Sequence, residues 1–477
     1  MRQREKLKTL TIRPFAGVIS TAASVVSAKP LPLSERDLFA GGCPHTKRRI
    51  YKSIHIAIAL NPMRQLFLTF TLTFFSLLGF SQTYTTLLKG GHLIDPKNGI
   101  DKRMDVAIQD GKIAAVAASI DPAMAKQVID ISGKYITPGL IDIHGHVFAG
   151  TDHGGQLENG FSSLPADGFT FRVGVTTIVD AGDAGAETFE LFKKNVIDKA
   201  QTRVLAFLNI SKKGMYGDEN SLEQQNNSFF DAQMAADVAK QYKEYIVGIK
   251  VAHYHKSDWV AVDRAVEAGK LAGMPLMVDF GGTVPRLSIE ELFLKKMRPG
   301  DIFTHTYGEL IKTKETIVDL ETGKLKPFVL EARKRGIIFD VGHGGGSFTF
   351  SQAIPATQQG LFPETISTDL HTGSMNSAMK DQLNVMSKFM AINMPLAEVV
   401  KASTWAAAKA INHEELGHLS VGAIADVTVL NLREGKFGFY DVARFKKEGK
   451  NLLECEMTIK GGRIVYDLNA SSIPHAK

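Results

Sequence analysis

Pro138-Gly139-Leu140-Ile141-Asp142-Ile143-His144-Gly145-His146 ends an apolar run, Tyr135 to Ile143, with two histidines two residues apart. The run predicts a short buried strand. Residues i and i+2 of a strand share a face, so both imidazoles aim at one spot with Gly145 between them. That pattern suits a metal ion held at the end of a strand. It equally fits two surface histidines in a turn, so the rest of the chain must decide.

Working outward, the middle of the chain, 139–414, alternates short apolar runs with helical ones. After the first, strand candidates are Val175–Asp180, Arg203–Ile210, Ile246–Val251, Pro275–Asp279, Ile302–His305, Ile337–His343 and Thr365–Asp369. Between them lie the helix-like runs Phe230–Tyr245, Asp258–Ala272, Ile289–Met297, Lys326–Arg335 and Leu383–Ala391. Eight strands interleaved with helices predict an α/β chain folded as a (β/α)8 TIM barrel, whose chemistry sits at the C-terminal strand ends. Those ends carry polar groups. Strand four, Ile246-Val247-Gly248-Ile249-Lys250-Val251, holds a lysine inside a β-branched run. Such a lysine either snorkels to water or, desolvated, has a depressed pKa and a usable neutral amine. Strand six ends in Thr304-His305, strand seven in Asp340-Val341-Gly342-His343 before a glycine run, and strand eight in Thr368-Asp369. Any one of these could be a satisfied core residue or a helix cap; together, in barrel order, they point to a site.

On either side of that middle the grammar changes. Asp110-Gly111 between apolar runs signals a hairpin. Strand-like runs recur at Gly422–Leu430 and Met457–Tyr466. We expect residues 83–138 and 415–468 to form one small β-sandwich domain from both chain ends.

Charge excludes some partners. The chain of 477 residues carries a formal +6, but residues 1–62 hold eleven Lys and Arg against three acids, which leaves about −2 on the remainder. With no basic stripe on the body, nucleic acid is not an expected partner. Cys43 and Cys455 are too few for a disulfide framework or a thiolate metal site. Met63-Arg64-Gln65, the apolar run Leu66–Phe80 and Ser81-Gln82 read as an export signal over 63–82. That run is too short for a comfortable membrane span. The expectation is an exported, periplasmic protein without a stable membrane anchor, with 1–62 an upstream extension of the reading frame.

With these motifs in place, the chain resembles the amidohydrolase superfamily, and within it the deacetylase, dihydroorotase-like branch. The resemblance rests on Pro138–His146, Gly174–Gly182, Gly248–Val251, Asp340–Phe348 and Leu419–Asp426, and spans about 85–467. It implies one or two divalent ions, zinc being the expected metal. His144, His146 and Asp369 would hold the more buried ion and His305 the second, with Lys250, carboxylated by carbon dioxide, bridging the two. A hydroxide between the metals would be the nucleophile, and Asp369 the catalytic base and acid. His343 would contact substrate; Tyr254 and Arg172 are candidates for a substrate carboxylate; His253 and His255 would shape the pocket. One position departs from the pattern: Asp279 stands on strand five where the family expects histidine. Either it ligates the second metal, as aspartate can, or it has left the ligand set.

The expected activity is hydrolysis of an amide or acyl bond in a small molecule, such as an N-acyl or O-acyl carboxylate, by a chain that a family prior makes a homo-oligomer. The alternatives are a cyclic amidase of the dihydroorotase or hydantoinase kind, and a catalytically silent barrel with a binding role.

Overall fold

The computed structural model describes residues 84–149, 162–215, 225–279, 284–310 and 313–474, all within one compact unit. The expected extension and export signal lie outside the described residues. The described chain opens with seven strands: β1 (Tyr84–Lys89), β2 (His92–Asp95), β3 (Ile100–Arg103), β4 (Asp105–Gln109), β5 (Lys112–Ala117), β6 (Ala125–Asp130) and β7 (Tyr135–Pro138). The Asp110-Gly111 hairpin joins β4 to β5, with both residues at positive φ (51° and 75°) as a two-residue turn demands.

A parallel sheet follows: β8 (Leu140–Gly145), β9 (Val175–Gly185), β10 (Arg203–Asn209), β11 (Ile246–Val251), β12 (Leu276–Val278), β13 (Ile302–Phe303) and β14 (Ile338–Phe339), paired in that order. Its strands are buried along almost their whole length, as parallel strands covered on both faces must be. Alternation sorts their side chains. Ile141, Ile143, Val179, Ala181, Leu205 and Phe207 pack in one apolar cluster, while Leu140, Ile178, Val204, Ala206 and Leu208 pack in another with the surrounding helices. Helices Ala232–Gln241, Val260–Ala272, Pro327–Lys334 and Gln382–Ala391 fall between or after the strands near the places expected. Asp231 and Asp381 cap the first and last through their carboxylates.

The predicted eighth strand is an extended segment rather than a regular strand. Isolated parallel bridges join Asp340 to Thr365 and Gly145 to Leu370. Asp142 tightens the second junction, accepting from the backbone N–H of both His144 and Thr368. The segment thus bonds to both edges of the curled sheet.

The run from Tyr135 to Ile143 is not one strand. It splits at Gly139, with β7 in a mixed sheet and β8 in the parallel one. A side chain at Gly139 has no room, since a Cβ there would stand 2.3 Å from Thr176 Oγ1. After the parallel sheet come β15 (Val427–Tyr440), β16 (Lys446–Lys460) and β17 (Arg463–Asp467). They join β7, β2 and β3 in the order β17-β16-β15-β7-β2-β3, beside a four-stranded sheet β5-β4-β1-β6. Leu88, Val106 and Ile108 share one apolar cluster with Val427, Val429, Met457 and Ile459, so residues from both chain ends are buried together.

Among the described residues, no helix is long and apolar enough to cross a membrane.

Candidate metal centre

Three histidines converge beyond the C-terminal ends of the parallel strands, each fixed by its Nδ1. His144 Nδ1 donates to Thr304 Oγ1 at 2.9 Å, and that hydroxyl donates on to Asp340 Oδ2 at 2.7 Å. Asp340 is itself held by Thr365 Oγ1 and Ser367 Oγ. His146 Nδ1 donates to Asp183 Oδ1 at 2.7 Å. His305 Nδ1 donates to the Gly342 carbonyl at 2.5 Å. With every Nδ1 engaged, every Nε2 is left as the inward-facing atom. Orientation by carboxylate or carbonyl partners is the usual preparation of a metal-binding imidazole.

The inward atoms meet carboxylates. Asp369 Oδ1 lies 3.0 Å from His146 Nε2 and 3.5 Å from His144 Nε2. Asp279 Oδ2 lies 3.5 Å from His305 Nε2 and 3.9 Å from His253 Nε2. Lys250 Nζ is 3.2 Å from His144 Nε2, and its side chain is only 1% exposed. Ligand atoms of His144, His305 and Asp369 all fall within 4.8 Å of one another. All six expected ligands line one cavity of about 520 Å³.

Electrostatics fits a cation here. Burial, with Lys250 close by, pushes the His144 pKa down to about 3, so the ring is a neutral donor. Burial works to raise Asp279, but His305, Lys250 and His253 outweigh it and hold the carboxylate well below its usual range. Asp369 behaves alike, burial being overcome by His144, His371 and His146. Burial lowers the Lys250 pKa against the pull of Asp279 and Asp369, easing loss of its proton. His146 differs: burial works to lower it, yet Asp183 and Asp369 raise it well above an ordinary imidazole. A proton on His146 Nε2 thus stands where the ring would offer its lone pair to a cation. Imidazole and carboxylate oxygen donors of this kind suit zinc and similar divalent ions.

Backbone geometry is bent to this end. His305 and Asp369 both take positive φ (56° and 55°), a conformation uncommon outside glycine and concentrated at functional sites. Gly342, at φ +46°, passes so close that a Cβ would meet Thr304 Oγ1 at 2.2 Å and His144 Nδ1 at 3.0 Å.

Three expected substrate contacts are not brought to this cavity. His343 is fully buried on the other face of its segment, its Nε2 accepting from Lys388 Nζ at 2.6 Å and its ring stacked on Phe348 at 4.6 Å. Tyr254 is buried away from the cavity in the apolar core, its hydroxyl donating to Asp258 at 2.6 Å, while its neighbours His253 and His255 line the cavity. A positive φ of 52° at His253 breaks the strand alternation there. Arg172 lines a separate cavity of about 380 Å³ beside Asp142 and Thr368. Sequence reading missed His371 and Lys314, both on the cavity wall. His371 Nδ1 accepts from the Gly373 N–H, which leaves Nε2–H facing Asp369 Oδ2 at 3.9 Å. Asp369-Leu370-His371 repeats the spacing of the two histidines on β8, and that was the available signal.

The chain is similar to several known proteins. A family model described as the amidohydrolase family matches residues 349–466. A deacetylase of Agrobacterium fabrum is 33% identical over 391 residues, covering 81% of this chain and 88% of the relative. Among solved structures, an adenine deaminase superposes with a TM-score of 0.71 at 28% identity, covering 81% of this chain and 100% of that one. A dihydroorotase gives a TM-score of 0.67 at 28% identity, over 80% of this chain and 99% of that one.

Proposed function

The chain belongs to the amidohydrolase family, and on that footing we propose that it is a deacetylase-like enzyme cleaving an amide or acyl bond of a small N-acyl or O-acyl carboxylate. The carrying observation is the convergence of His144, His146 and His305, each pinned at Nδ1, upon Asp369, Asp279 and Lys250. In this reading residues 139–414 form a (β/α)8 barrel, supported by the bridges on both sides of Thr365–Leu370. Residues 83–138 and 415–468 form a composite β-sandwich, supported by their shared apolar cluster.

His144, His146 and Asp369 would hold one divalent ion, and His305 with Asp279 a second, with zinc the expected metal. Lys250 would join the ligand set as a carbamate: its neutral amine would add to carbon dioxide and lose a proton, giving an anion suited to divalent ions. Bound ions lower the pKa of water and polarise a carbonyl. The chain's own groups do the rest. Asp369, ionised at neutral pH, takes the proton of the attacking water and returns it to the leaving nitrogen or oxygen. Asp183 and the Thr304–Asp340 pair keep His146 and His144 in the Nδ1–H tautomer. Asp279 keeps its charge beside His305, which favours its working as a ligand over the silent-barrel reading.

A second reading, a cyclic amidase, draws on the likeness to a dihydroorotase structure. Product mass separates the two, since acyl cleavage gives two products and ring opening gives one product heavier by a water. Incubating zinc- and bicarbonate-supplied enzyme with N-acetyl amino acids, N-acetyl amines and cyclic imides tests the choice. Release of free acetate supports the deacetylase; ring opening alone replaces it with the cyclic amidase. Export through 63–82, a periplasmic location and a homo-oligomeric state complete the proposal. The first is checked by the N-terminus of the natural product, the last by its mass in solution.

A further inference from the structure

Lys314 lies on the loop after β13, only 3% exposed, and lines the cavity of the metal centre. An ammonium has three N–H donors. One goes to the His305 backbone carbonyl at 3.0 Å, and the Phe303 ring lies 4.7 Å from Nζ. Among the described residues no carboxylate stands within ion-pair distance of it. A buried cation with donors to spare is costly unless something negative joins it. Asp279, on the same wall, attracts it from beyond ion-pair distance. Apart from the candidate ligands, the ionisable residues on this cavity are Lys314, His253, His255 and His371, with no acid among them. Tyr254 and Arg172, the carboxylate receptors expected from sequence, do not reach the cavity.

We infer that Lys314 anchors the substrate through an anionic group, a carboxylate on the same small molecule whose acyl bond is cut. The assignment rests on the hydrolase reading above and makes Lys314 its specificity-determining residue. Among the described residues, two of its N–H groups remain for the carboxylate, beside a histidine of the metal centre. The neutral carboxamide of the same compound gains nothing from the charge.

The test compares N-acetylalanine of both hands with N-acetylalaninamide, on zinc-loaded full-length protein and its Lys314→Met variant. Binding is read by saturation-transfer NMR and turnover by acetate release. The wild type is expected to bind the acid about tenfold or more tightly over the amide, the scale of one charge-assisted hydrogen bond. Lys314→Met should bind both like the amide, with kcat/KM falling for the acid alone. Loss of the bond to the His305 carbonyl would weaken both compounds equally, so the acid-to-amide ratio separates recognition from mere structure. Equal binding of acid and amide by the wild type, or an unchanged ratio in the variant, overturns the assignment. If the wild type prefers the acid, loses that preference in the variant and yet releases no acetate, the anchor stands and the deacetylase reading falls.

Discussion

Thr304 is where the electrostatics of the site can be probed without touching a ligand. Its hydroxyl joins His144 Nδ1, at 2.9 Å, to Asp340 Oδ2, at 2.7 Å. The two partners are 3.9 Å apart, too far to bond directly once the hydroxyl is gone. Thr304→Val keeps the shape and deletes the link. Asp340 retains Ser367 and Thr365, so the orphan is chiefly the buried His144 N–H. Leaving such a donor unpaired costs about 1–3 kcal/mol, which urea unfolding of the metal-free protein would register. Losing the partner that orients a metal-binding histidine weakens metal affinity about 10- to 100-fold, or roughly 1.4–2.7 kcal/mol. Zinc affinity measured by chelator competition should fall on that scale, and Thr304→Ser, which keeps the hydroxyl, should restore it. Unchanged zinc affinity in Thr304→Val would refute the claim that this relay prepares His144 for a cation.

Three further outcomes follow from the same geometry. Asp279→Ala should remove one bound ion while leaving the other, because Asp279 faces His305 whereas Asp369 faces His144 and His146; elemental analysis reads this directly. Gly342→Ala should destabilise the fold by about 1–3 kcal/mol, since its Cβ would fall 2.2 Å from Thr304 Oγ1 at a φ of +46°, and thermal unfolding checks it. Zinc uptake near pH 7 should release a proton from His146, whose pKa lies well above the ordinary 6.5, and none from His144, already neutral with a pKa of about 3. For the metal-free protein, the stabilisation from charged His146 is full below pH 6.5 and is lost as pH rises through the raised folded value. Metal therefore competes better as pH rises, and calorimetry in buffers of different ionisation enthalpy counts the protons.

Much of the site was legible because strand ends preserve alternation. His144 with His146, and Lys250 buried inside a β-branched run, are visible from spacing and context alone. His343 was misplaced because the regular strand stops at Phe339 and Gly342, at φ +46°, turns the chain just before it, so that its ring goes to Lys388 and Phe348 instead. Tyr254 was misplaced for a similar reason. Beyond β11 the backbone turns left-handed at His253, and no periodic pattern announces that. Lys314 left no local trace at all; its place on the wall comes from a loop folding back onto the His305 carbonyl. The split of Tyr135–Ile143 between two sheets was likewise hidden, since both halves are equally apolar and a single glycine marks the crossing.

The central claim is that Lys250 and its neighbours hold divalent metal for hydrolysis, and metal content per chain tests it most directly. Protein prepared with zinc and bicarbonate should carry two ions per chain, and Lys250→Ala should lose both the second ion and the acyl-cleaving activity. A Lys250→Ala protein with unchanged metal content and unchanged activity would contradict the account.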